Sequence, residues 1–488
     1  MENVQHHFSS FRKNIIGINQ KFHSPYGEQT ILYADWTASG RLYEPIEQRL
    51  REKFFPFVGN THSESSVTGT AMTKAYHRAH EIIKRHVHAG KNDVLLNIGS
   101  GMTSAVNKFQ RMLGMKIPES LSHYVSLPKE MRPVVFVTHM EHHSNQTTWE
   151  ETIADVVVIK ATAEGLVDVN DLRFLLDQYT ERKIKIGSFT ACSNVTGIAT
   201  PYHALAKIMH EHGGLCFVDF AASAPYVHID MHPADPLEQL DAIFFSPHKF
   251  LGGPGTSGVL IFDSTLYHLK TPEQPGGGTV LWTNPWGGHR YYSDIELRED
   301  GGTPAFLQTI KSALCVQLKE KMDVEKIHAR EKELVRKMFA GLRSIPRVHI
   351  LADAIEDRLG IFSFYADDIH YNLIVRLLND RFGIQTRGGW SCAGTYGLYL
   401  LHVDRYTSNR ITDKINHGDL SEKPGWVRAS LHPTTTDEEA EYILHAIEQI
   451  IKNIDAWQKE YRYDNTCNEF FHLQENGILG KEIESWFF

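Results

Sequence analysis

Cysteine is scarce in this chain: there are only five in 488 residues, an odd number scattered widely along the sequence. None of them forms a CxxC metal pair, and the pattern argues against a disulfide framework and for a reducing compartment. Basic residues are not in excess either, because 59 acidic residues against 50 lysines and arginines give a formal net charge of −9. Nucleic-acid-binding surfaces are usually basic, so no nucleic-acid partner is expected.

Long apolar runs are also missing. None approaches the roughly 20 residues that a membrane-spanning helix needs, and residues 1–16 lack the continuous apolar core of a secretory signal. Hydrophobic residues make up 42% of the chain and charged residues 22%, which is typical of a soluble globular protein. We therefore expect a cytoplasmic protein without a membrane partner, and the length predicts two structural units.

The chain does contain a regular alternation of short apolar, β-branched runs and helical patterns. The runs are almost continuously apolar, which is typical of strands covered by helices on both faces. Strands alternating with helices predict an α/β fold with a mostly parallel, seven-stranded sheet. The seven runs are residues 94–98, 134–138, 156–160, 184–189, 215–219, 242–246 and 258–262.

A stretch rich in Gly, Pro and Trp, residues 275–288, interrupts this alternation and predicts a boundary nearby. We expect a large domain over residues 31–285. A smaller α+β domain, with a C-terminal extension, is expected from residues 1–30 and 286–488. In its last helix, Thr436 and Glu439 have the spacing of a capping box.

Polar groups follow several of the apolar runs, and in open α/β sheets ligands bind outside the carboxyl ends of the strands. We therefore expect these groups to converge on one edge of the sheet. In chain order they are Gly101, Met102, Thr103, His142, Asn194, Asp219, Ser246, His248 and Lys249.

Two of these features have both a functional and an ordinary structural interpretation. Backbone amides at the start of the helix after Gly101 can bind an anion, although a plain glycine turn has the same pattern. Asp219 ends an apolar strand and should be buried beside a cation. A protonated pyridine nitrogen would supply that cation, and Lys249 could form a Schiff base when desolvated. A structural Asp219–Lys249 ion pair without a cofactor is the alternative.

A third feature, the HxxHH cluster at residues 139–143, has the ligand types of a zinc site. No closing ligand is evident in the sequence, and histidines are abundant throughout, with 28 in the chain. We therefore expect no metal. A single histidine stacked on an aromatic cofactor is the simpler interpretation.

Together these segments resemble the class V aminotransferase group of fold type I pyridoxal 5′-phosphate (PLP) enzymes, and within it the cysteine desulfurases and selenocysteine lyases. The resemblance spans about residues 31–445, and its most specific segment is SPHKFLGGPGTSG at 246–258. The other segments, in the family's order, are YADWTAS at 33–39, NTHS at 60–63, GMTSAVN at 101–107, EHHSN at 141–145 and SNVTG at 193–197.

The resemblance implies a role for each cofactor residue. Lys249 would hold PLP as a Schiff base, Asp219 would pair with the pyridine nitrogen, and His142 would stack on the ring and act as an acid/base. The phosphate would be bound by Thr103, Ser246, His248 and the amides of Gly101 and Met102.

The resemblance also implies a homodimer with shared active sites. Thr303, in a segment like the family's GTP motif, would reach the phosphate bound to the partner subunit. Asn194 would lie near the cofactor and, with Arg428, would bind the α-carboxylate of an amino-acid substrate.

Arg387 is expected in the active site by the same resemblance. Five residues later, Cys392 stands at the position of the desulfurase nucleophile. The implied reaction removes sulfur from L-cysteine, or selenium from selenocysteine, giving alanine and a persulfide on Cys392. A sulfur-acceptor protein is then a possible partner. The ordinary alternative for Cys392 is a small buried residue.

Two departures from the family pattern keep other functions open. Ala222 stands where the family has a Gln that bonds the cofactor's phenolate oxygen, so Asn194 or water would have to serve. The segment before Cys392 contains Trp390 and lacks the two histidines common in desulfurases. Another class V enzyme (an aminotransferase, epimerase or C–S lyase) is the second hypothesis, and a non-enzymatic binding protein on the same fold is the third.

Overall fold

The computed structural model describes residues 4–61, 63–474 and 478–487. The chain divides into two compact units. The larger unit comprises Ser39–Ser193 and Ala199–Val324, and the smaller unit comprises Met1–Ala38, Asn194–Ile198 and Glu325–Phe488.

The strands of both units are, in chain order, β1 (Lys21–Ser24), β2 (Gly27–Thr30), β3 (Leu32–Tyr33), β4 (Asp93–Ile98), β5 (Val134–Thr138), β6 (Asp155–Ile159), β7 (Lys185–Thr190), β8 (Leu215–Asp219), β9 (Ala242–Phe245), β10 (Gly258–Asp263), β11 (Val280–Thr283), β12 (His289–Tyr291), β13 (Val348–Ile350), β14 (Ile361–Ala366), β15 (Ile384–Gln385), β16 (Arg387–Gly389), β17 (Trp426–Ser430), β18 (Tyr461–Asp464) and β19 (Glu469–His472).

The α-helices are α1 (Val4–Arg12), α2 (Glu44–Arg49), α3 (Val67–His86), α4 (Met102–Met112), α5 (His143–Glu150), α6 (Val169–Gln178), α7 (Tyr202–Glu211), α8 (Ile295–Glu299), α9 (Phe306–Met322), α10 (Val324–Ser344), α11 (Tyr371–Phe382), α12 (Gly394–Leu400), α13 (Arg405–Asn416), α14 (Asp437–Trp457) and α15 (Ile478–Ser485).

The larger unit is built on a seven-stranded sheet in the order β4-β10-β9-β8-β7-β5-β6. β10 runs antiparallel to both of its neighbours, and the remaining pairs are parallel. The seven apolar runs of the sequence form these seven strands, so the predicted mostly parallel sheet is confirmed. Helix α4 packs on the sheet through Ala105, Val106 and Phe109, which are fully buried with Phe217 and Phe244.

The smaller unit contains a four-stranded antiparallel sheet in the order β13-β14-β17-β16. Its apolar core is formed by this sheet and helices α10, α11 and α14, with Phe339, Phe362, Leu377 and Ile447 completely buried. α14 begins with the predicted capping box, because Thr436 Oγ1 accepts from the Glu439 amide and the Glu439 carboxylate accepts from the Thr436 amide. The unit is therefore α+β.

The division into units differs from the expected one in three places. The larger unit continues past residue 285 to Val324, because α9 packs against α3. Residues up to Ala38 belong to the smaller unit, where β3 pairs in parallel with β15. Residues 194–198 also belong to it, since Ser363 Oγ donates to the carbonyl of Val195 at 2.6 Å. Such pairings between distant segments leave no local signal in the sequence.

In the described ranges, 4–61, 63–474 and 478–487, no helix is long and apolar enough to cross a membrane. His62, which belongs to the NTHS segment, lies outside the described residues. The last residue, Phe488, does so too.

Candidate active site

The loop at the start of α4 in the larger unit is the one expected to bind an anion. Gly101 is the residue before the helix, and the Met102 amide donates to Ser246 Oγ at 2.8 Å. A Cβ atom placed on Gly101 would lie 3.0 Å from Ser246 Oγ and 3.6 Å from the His248 ring. The loop, Ser246 and His248 are therefore adjacent, in a space that a side chain at residue 101 would crowd. The Thr103 hydroxyl is hydrogen-bonded to that of Ser144 at 2.6 Å.

The His248 ring lies beside this loop. Burial, with a smaller effect from the Lys249 charge, lowers the pKa of His248 to about 4. The ring is therefore neutral at pH 7. His248 also lines an open cavity of about 690 Å³ together with Ser39, Gly99, Ser100 and Thr256.

Asp219 stands at the carboxyl end of β8, where the strand ends and a turn begins. Its carboxylate accepts from the Ala221 amide at 2.8 Å and is only 4% exposed. Burial raises the pKa of Asp219 to about 6, and the nearby positive charge of Lys249 opposes that rise. Lys249 follows β9 in the short turn Pro247–Lys249. The fold thus brings this carboxylate and this amine within electrostatic reach.

His142 immediately precedes α5 and serves as its cap. Its Nδ1 accepts from the Ser144 amide at 3.0 Å, so the proton of the neutral ring sits on Nε2. The preceding residue, Glu141, is completely buried and accepts from the Thr190 amide at 2.8 Å and from the Asn145 side chain at 2.9 Å. Burial raises the pKa of Glu141 to about 8. Glu141 therefore ties the start of α5 to the end of β7.

The smaller unit contains the residues expected at the substrate. Arg428, in β17, is 3% exposed. Its Nη1 donates to the Asn194 carbonyl at 3.0 Å, and its Nη2 donates to Asp35 Oδ1 at 2.9 Å. Arg387, in β16, donates from Nε to Asp35 Oδ2 at 3.1 Å. Asp35, Asn194, Arg387 and Arg428 thus form one connected cluster.

Cys392 lies in the loop between β16 and α12 and is exposed. Ser391 and Cys392 both have positive φ, 49° and 57°, in the left-handed region that residues other than glycine rarely adopt. The Asn194 side chain donates to the Ser391 carbonyl at 2.7 Å, which holds this turn against the arginine cluster. The charges of Arg428 and Cys392 are close enough to interact. The ordinary interpretation of Cys392 as a small buried residue is wrong.

Two residues in these clusters had no assigned role in the sequence analysis. Asp35 belongs to the YADWTAS segment and Glu141 to the EHHSN segment, so the signal was the motif itself. Their roles were missed because a carboxylate that bonds neighbouring groups has the same sequence pattern as one that meets a ligand. Thr303, expected to reach a partner subunit, lies in an exposed loop before α9. Within the part of the chain that the structure describes, no three or more His, Cys, Asp or Glu side chains form a metal-binding group.

A family model described as "Aminotransferase class-V" matches residues 32–443 of this chain. The chain belongs to that family. The resemblance drawn from its motifs is thereby confirmed, and the chain is a PLP-dependent enzyme.

Curated relatives agree with this assignment. A "Probable cysteine desulfurase" from Staphylococcus aureus is 26% identical over 369 residues, covering 74% of this chain and 83% of the relative. Another from Halalkalibacterium halodurans is 25% identical over 372 residues, covering 74% and 84%. These relatives place the chain among desulfurase-like class-V enzymes at a level of identity that leaves the substrate open.

Solved structures share the fold. A cysteine desulfurase from Thermococcus onnurineus, in its apo form, has a TM-score of 0.73 at 22% identity and covers 91% of this chain and 98% of its own. A cysteine desulfurase from Escherichia coli has a TM-score of 0.70 at 21% identity, with the same coverage. The predicted fold type, that of PLP-dependent transferases, is confirmed.

The larger unit of this aminotransferase class-V enzyme fits PLP at both charged ends of the cofactor. The glycine loop with Ser246 offers backbone and hydroxyl donors to a phosphate, and a Cβ at Gly101 would crowd that space. Asp219 is a carboxylate whose pKa is raised by burial. A pyridinium nitrogen beside it would stabilise its ionised form, and Lys249 supplies an amine within electrostatic reach.

Proposed function

We propose that this chain is a PLP-dependent desulfurase that removes sulfur from L-cysteine, or selenium from selenocysteine, and releases alanine. The observation that carries the proposal is Cys392, an exposed thiol in a left-handed turn hydrogen-bonded to Asn194, in one cluster with Arg428. An exposed nucleophile beside carboxylate-binding groups is the arrangement that sulfur transfer from an amino acid requires.

In this proposal the cofactor would be held by residues of the larger unit. Lys249 would attach it, Asp219 would pair with the pyridine nitrogen, and His142 would cover the ring. The phosphate would be bound by Thr103, Ser246, His248 and the amides of Gly101 and Met102. PLP, when bound, supplies an electron sink for the bonds at the substrate Cα.

The protein's own groups then orient the substrate and move protons. Arg428 and Asn194 bind the α-carboxylate, with Arg387 beside them. His142 acts as the acid/base through Nε2, since its Nδ1 is engaged by the Ser144 amide. The buried position of Arg428 excludes water from its guanidinium and strengthens its attraction for a carboxylate.

The Cys392 thiolate attacks the sulfur of the substrate. An S–S bond forms to Cys392, the C–S bond of the substrate breaks, and its electron pair stays on Cβ, which takes up a proton to become the methyl group of alanine. Arg428 lies within electrostatic reach of Cys392. Sulfur leaves as a persulfide on Cys392, from which an acceptor protein or a thiol removes it.

The proposal includes a homodimer with shared active sites, in which Thr303 reaches the phosphate bound to the partner subunit. The exposure of Thr303 supports this. It also includes a cytoplasmic location. None of the five cysteines forms a disulfide, which supports this location because disulfides are rare in reducing compartments.

The decisive test measures alanine production from L-cysteine under reductant for the wild type, Cys392→Ala and Cys467→Ala. Cys467 is the other exposed thiol in the chain and is the matched control. We expect wild type and Cys467→Ala to form alanine and Cys392→Ala to lose at least about a hundredfold in rate, because the nucleophile is gone. Mass spectrometry should find one added sulfur on the peptide containing Cys392.

Two other outcomes would contradict the proposal. Alanine formation by Cys392→Ala at the wild-type rate would make Cys392 incidental. A PLP-loaded wild type that forms no alanine would favour another class-V reaction, and a transamination, epimerisation and C–S lyase screen with other amino acids would follow. The buried Ala222, in place of the family's Gln, is the feature that favours this second function.

A further inference from the structure

The two arginines of the smaller unit share one carboxylate, that of Asp35. Arg428 Nη2 donates to Asp35 Oδ1 at 2.9 Å, and Arg387 Nε donates to Oδ2 at 3.1 Å. Each carboxylate oxygen therefore engages a different guanidinium. The side chains of Asp35 and Arg428 are only 13% and 3% exposed, so the charges of this pair interact with little screening by water.

The sheet register explains why a negative charge is needed here. Arg387 and Arg428 are direct cross-strand partners on the antiparallel strands β16 and β17. Like charges in that position repel each other. Asp35 offsets the repulsion from a fixed place, because it forms a backbone bridge with Ser430 and the Thr37 amide donates to Ser430 Oγ at 2.9 Å.

The cluster retains unused hydrogen-bonding capacity for one further carboxylate. Arg428 Nε is a buried donor and has no hydrogen-bond partner among the described residues. Arg387, in contrast, is about half exposed at 48% of its side chain. Asp35 thus occupies one side of the arginine pair and leaves the other side to a ligand.

We propose that Asp35 is the positioning and specificity-determining residue of this site. It holds the two guanidiniums side by side and reduces their combined charge from two positive charges to one. A site with one net positive charge favours amino acids with a single carboxylate, such as cysteine, over amino acids with a second acidic group, such as cysteine sulfinate. This inference rests on the proposed function, in which Arg428 receives the substrate carboxylate.

The test uses the holoenzyme and the substitution Asp35→Asn, which keeps the shape of the side chain and removes its charge. Alanine formation from L-cysteine and from L-cysteine sulfinate gives two values of kcat/KM. We expect their ratio to shift toward the sulfinate by roughly tenfold or more, mainly through KM, because a unit charge a few ångströms away acts on binding. Asp413→Asn, an exposed charge of the same unit, is the matched control and should leave the ratio unchanged.

The variant Asp35→Glu tests whether a negative charge alone restores the substrate preference. It restores the negative charge, so the preference for cysteine should return toward that of the wild type even where kcat/KM stays lower. If Asp35→Asn does not fold, Arg387→Gln replaces it. That variant leaves the cluster without net charge, and we expect it to shift the ratio further toward cysteine.

A second readout does not depend on the cofactor or on turnover. In a Cys467→Ala background without PLP, Asp35→Asn removes the negative charge that offsets Arg428, which lies within electrostatic reach of Cys392. A more positive neighbourhood favours the thiolate, so iodoacetamide should alkylate Cys392 faster, by several-fold at pH 7, than in the matched protein that keeps Asp35.

An unchanged substrate ratio with unchanged alkylation would overturn the inference and reduce Asp35 to a structural residue. If the wild type forms alanine from neither substrate, the proposed function fails. The alkylation rate then still decides whether Asp35 controls the charge of the arginine pair, and equal rates would overturn that control.

Discussion

The buried carboxylates of Asp219 and Asp35, one in each unit, have different surroundings. The carboxylate of Asp219, in the larger unit, accepts a hydrogen bond from a backbone amide and interacts with the positive charge of Lys249. Both effects lower its pKa, but burial outweighs them and raises the pKa to about 6. Asp35, in the smaller unit, is bonded by two guanidiniums of its own chain.

The difference indicates what each region is built to do. A buried carboxylate short of positive charge gains most from a cationic ligand, and the larger unit is therefore suited to retain a cofactor. A carboxylate already satisfied within the chain organises its partners instead. In the proposed function, the smaller unit binds and selects the substrate.

The substitution expected to have the largest effect is Lys249→Ala, which removes the amine near Asp219. We expect activity to fall by about four orders of magnitude, because covalent attachment of the cofactor is lost. The absorbance of the bound cofactor and its retention after borohydride reduction and denaturation measure this. Lys270→Ala, an exposed lysine of the same unit, is the control. A Lys249→Ala protein that still held PLP covalently would contradict the assignment.

The substitution Asp219→Asn separates cofactor binding from stability. Activity should fall roughly a hundredfold or more, because in the proposed site Asp219 is the charge that would keep the pyridine nitrogen protonated. The folded pKa of about 6 lies above the ordinary value of 3.8. Asp219 therefore binds its proton more tightly in the folded protein than in the unfolded chain. Its protonated form stabilises the fold at low pH, and this stabilisation is lost as the pH rises to about 6.

It follows that the cofactor-free Asp219→Asn protein should be more stable than the cofactor-free wild type at pH 7.5, by up to about 3 kcal/mol. The gain should shrink as the pH falls from about 6 toward 4, since Asp219 then becomes neutral in the wild type. Urea unfolding at pH 7.5 and pH 5 measures the difference. A destabilised mutant at pH 7.5 would show that Asp219 is already compensated by Lys249.

The smallest effects are expected from replacing the two arginines of the smaller unit by lysine. Arg428→Lys should lower kcat/KM for L-cysteine by about ten- to a hundredfold, because a lysine cannot bond both Asn194 and Asp35 with a planar fork. Arg387→Lys should cost less than about tenfold, since Arg387 is half exposed and donates a single bond to Asp35. Steady-state kinetics measure both, and equal losses would contradict the difference in burial.

The sheet of the larger unit could be predicted from local sequence because its signal is local. Strands covered on both faces need continuous apolar runs, and each of the seven runs forms a strand of the sheet. The division of the chain could not be predicted in the same way. Residues 194–198 join the smaller unit through contacts such as Leu359 N donating to the Gly197 carbonyl at 2.9 Å, which joins segments far apart in the sequence.

Local sequence likewise indicated some features of the candidate site and not others. Lys249, Asp219 and the glycine loop follow apolar strands, and the carboxyl ends of parallel strands meet at one edge of a sheet. The charge of His248 was not predictable, because its low pKa arises mainly from burial, which the fold decides. The left-handed turn at Ser391 and Cys392 was likewise invisible, since neither residue type signals it.

The sequence by itself determined the family, the parallel sheet and the identity of the groups that can do chemistry, because these depend on residue types at short spacings. Only the tertiary structure decided which of those groups are paired. Asp35 lies far along the chain from Arg387 and Arg428, and it meets both because β16 and β17 place the two arginines opposite each other while a backbone bridge to Ser430 holds Asp35 beside them. Charge compensation depends on distance in space, and the fold alone sets that distance.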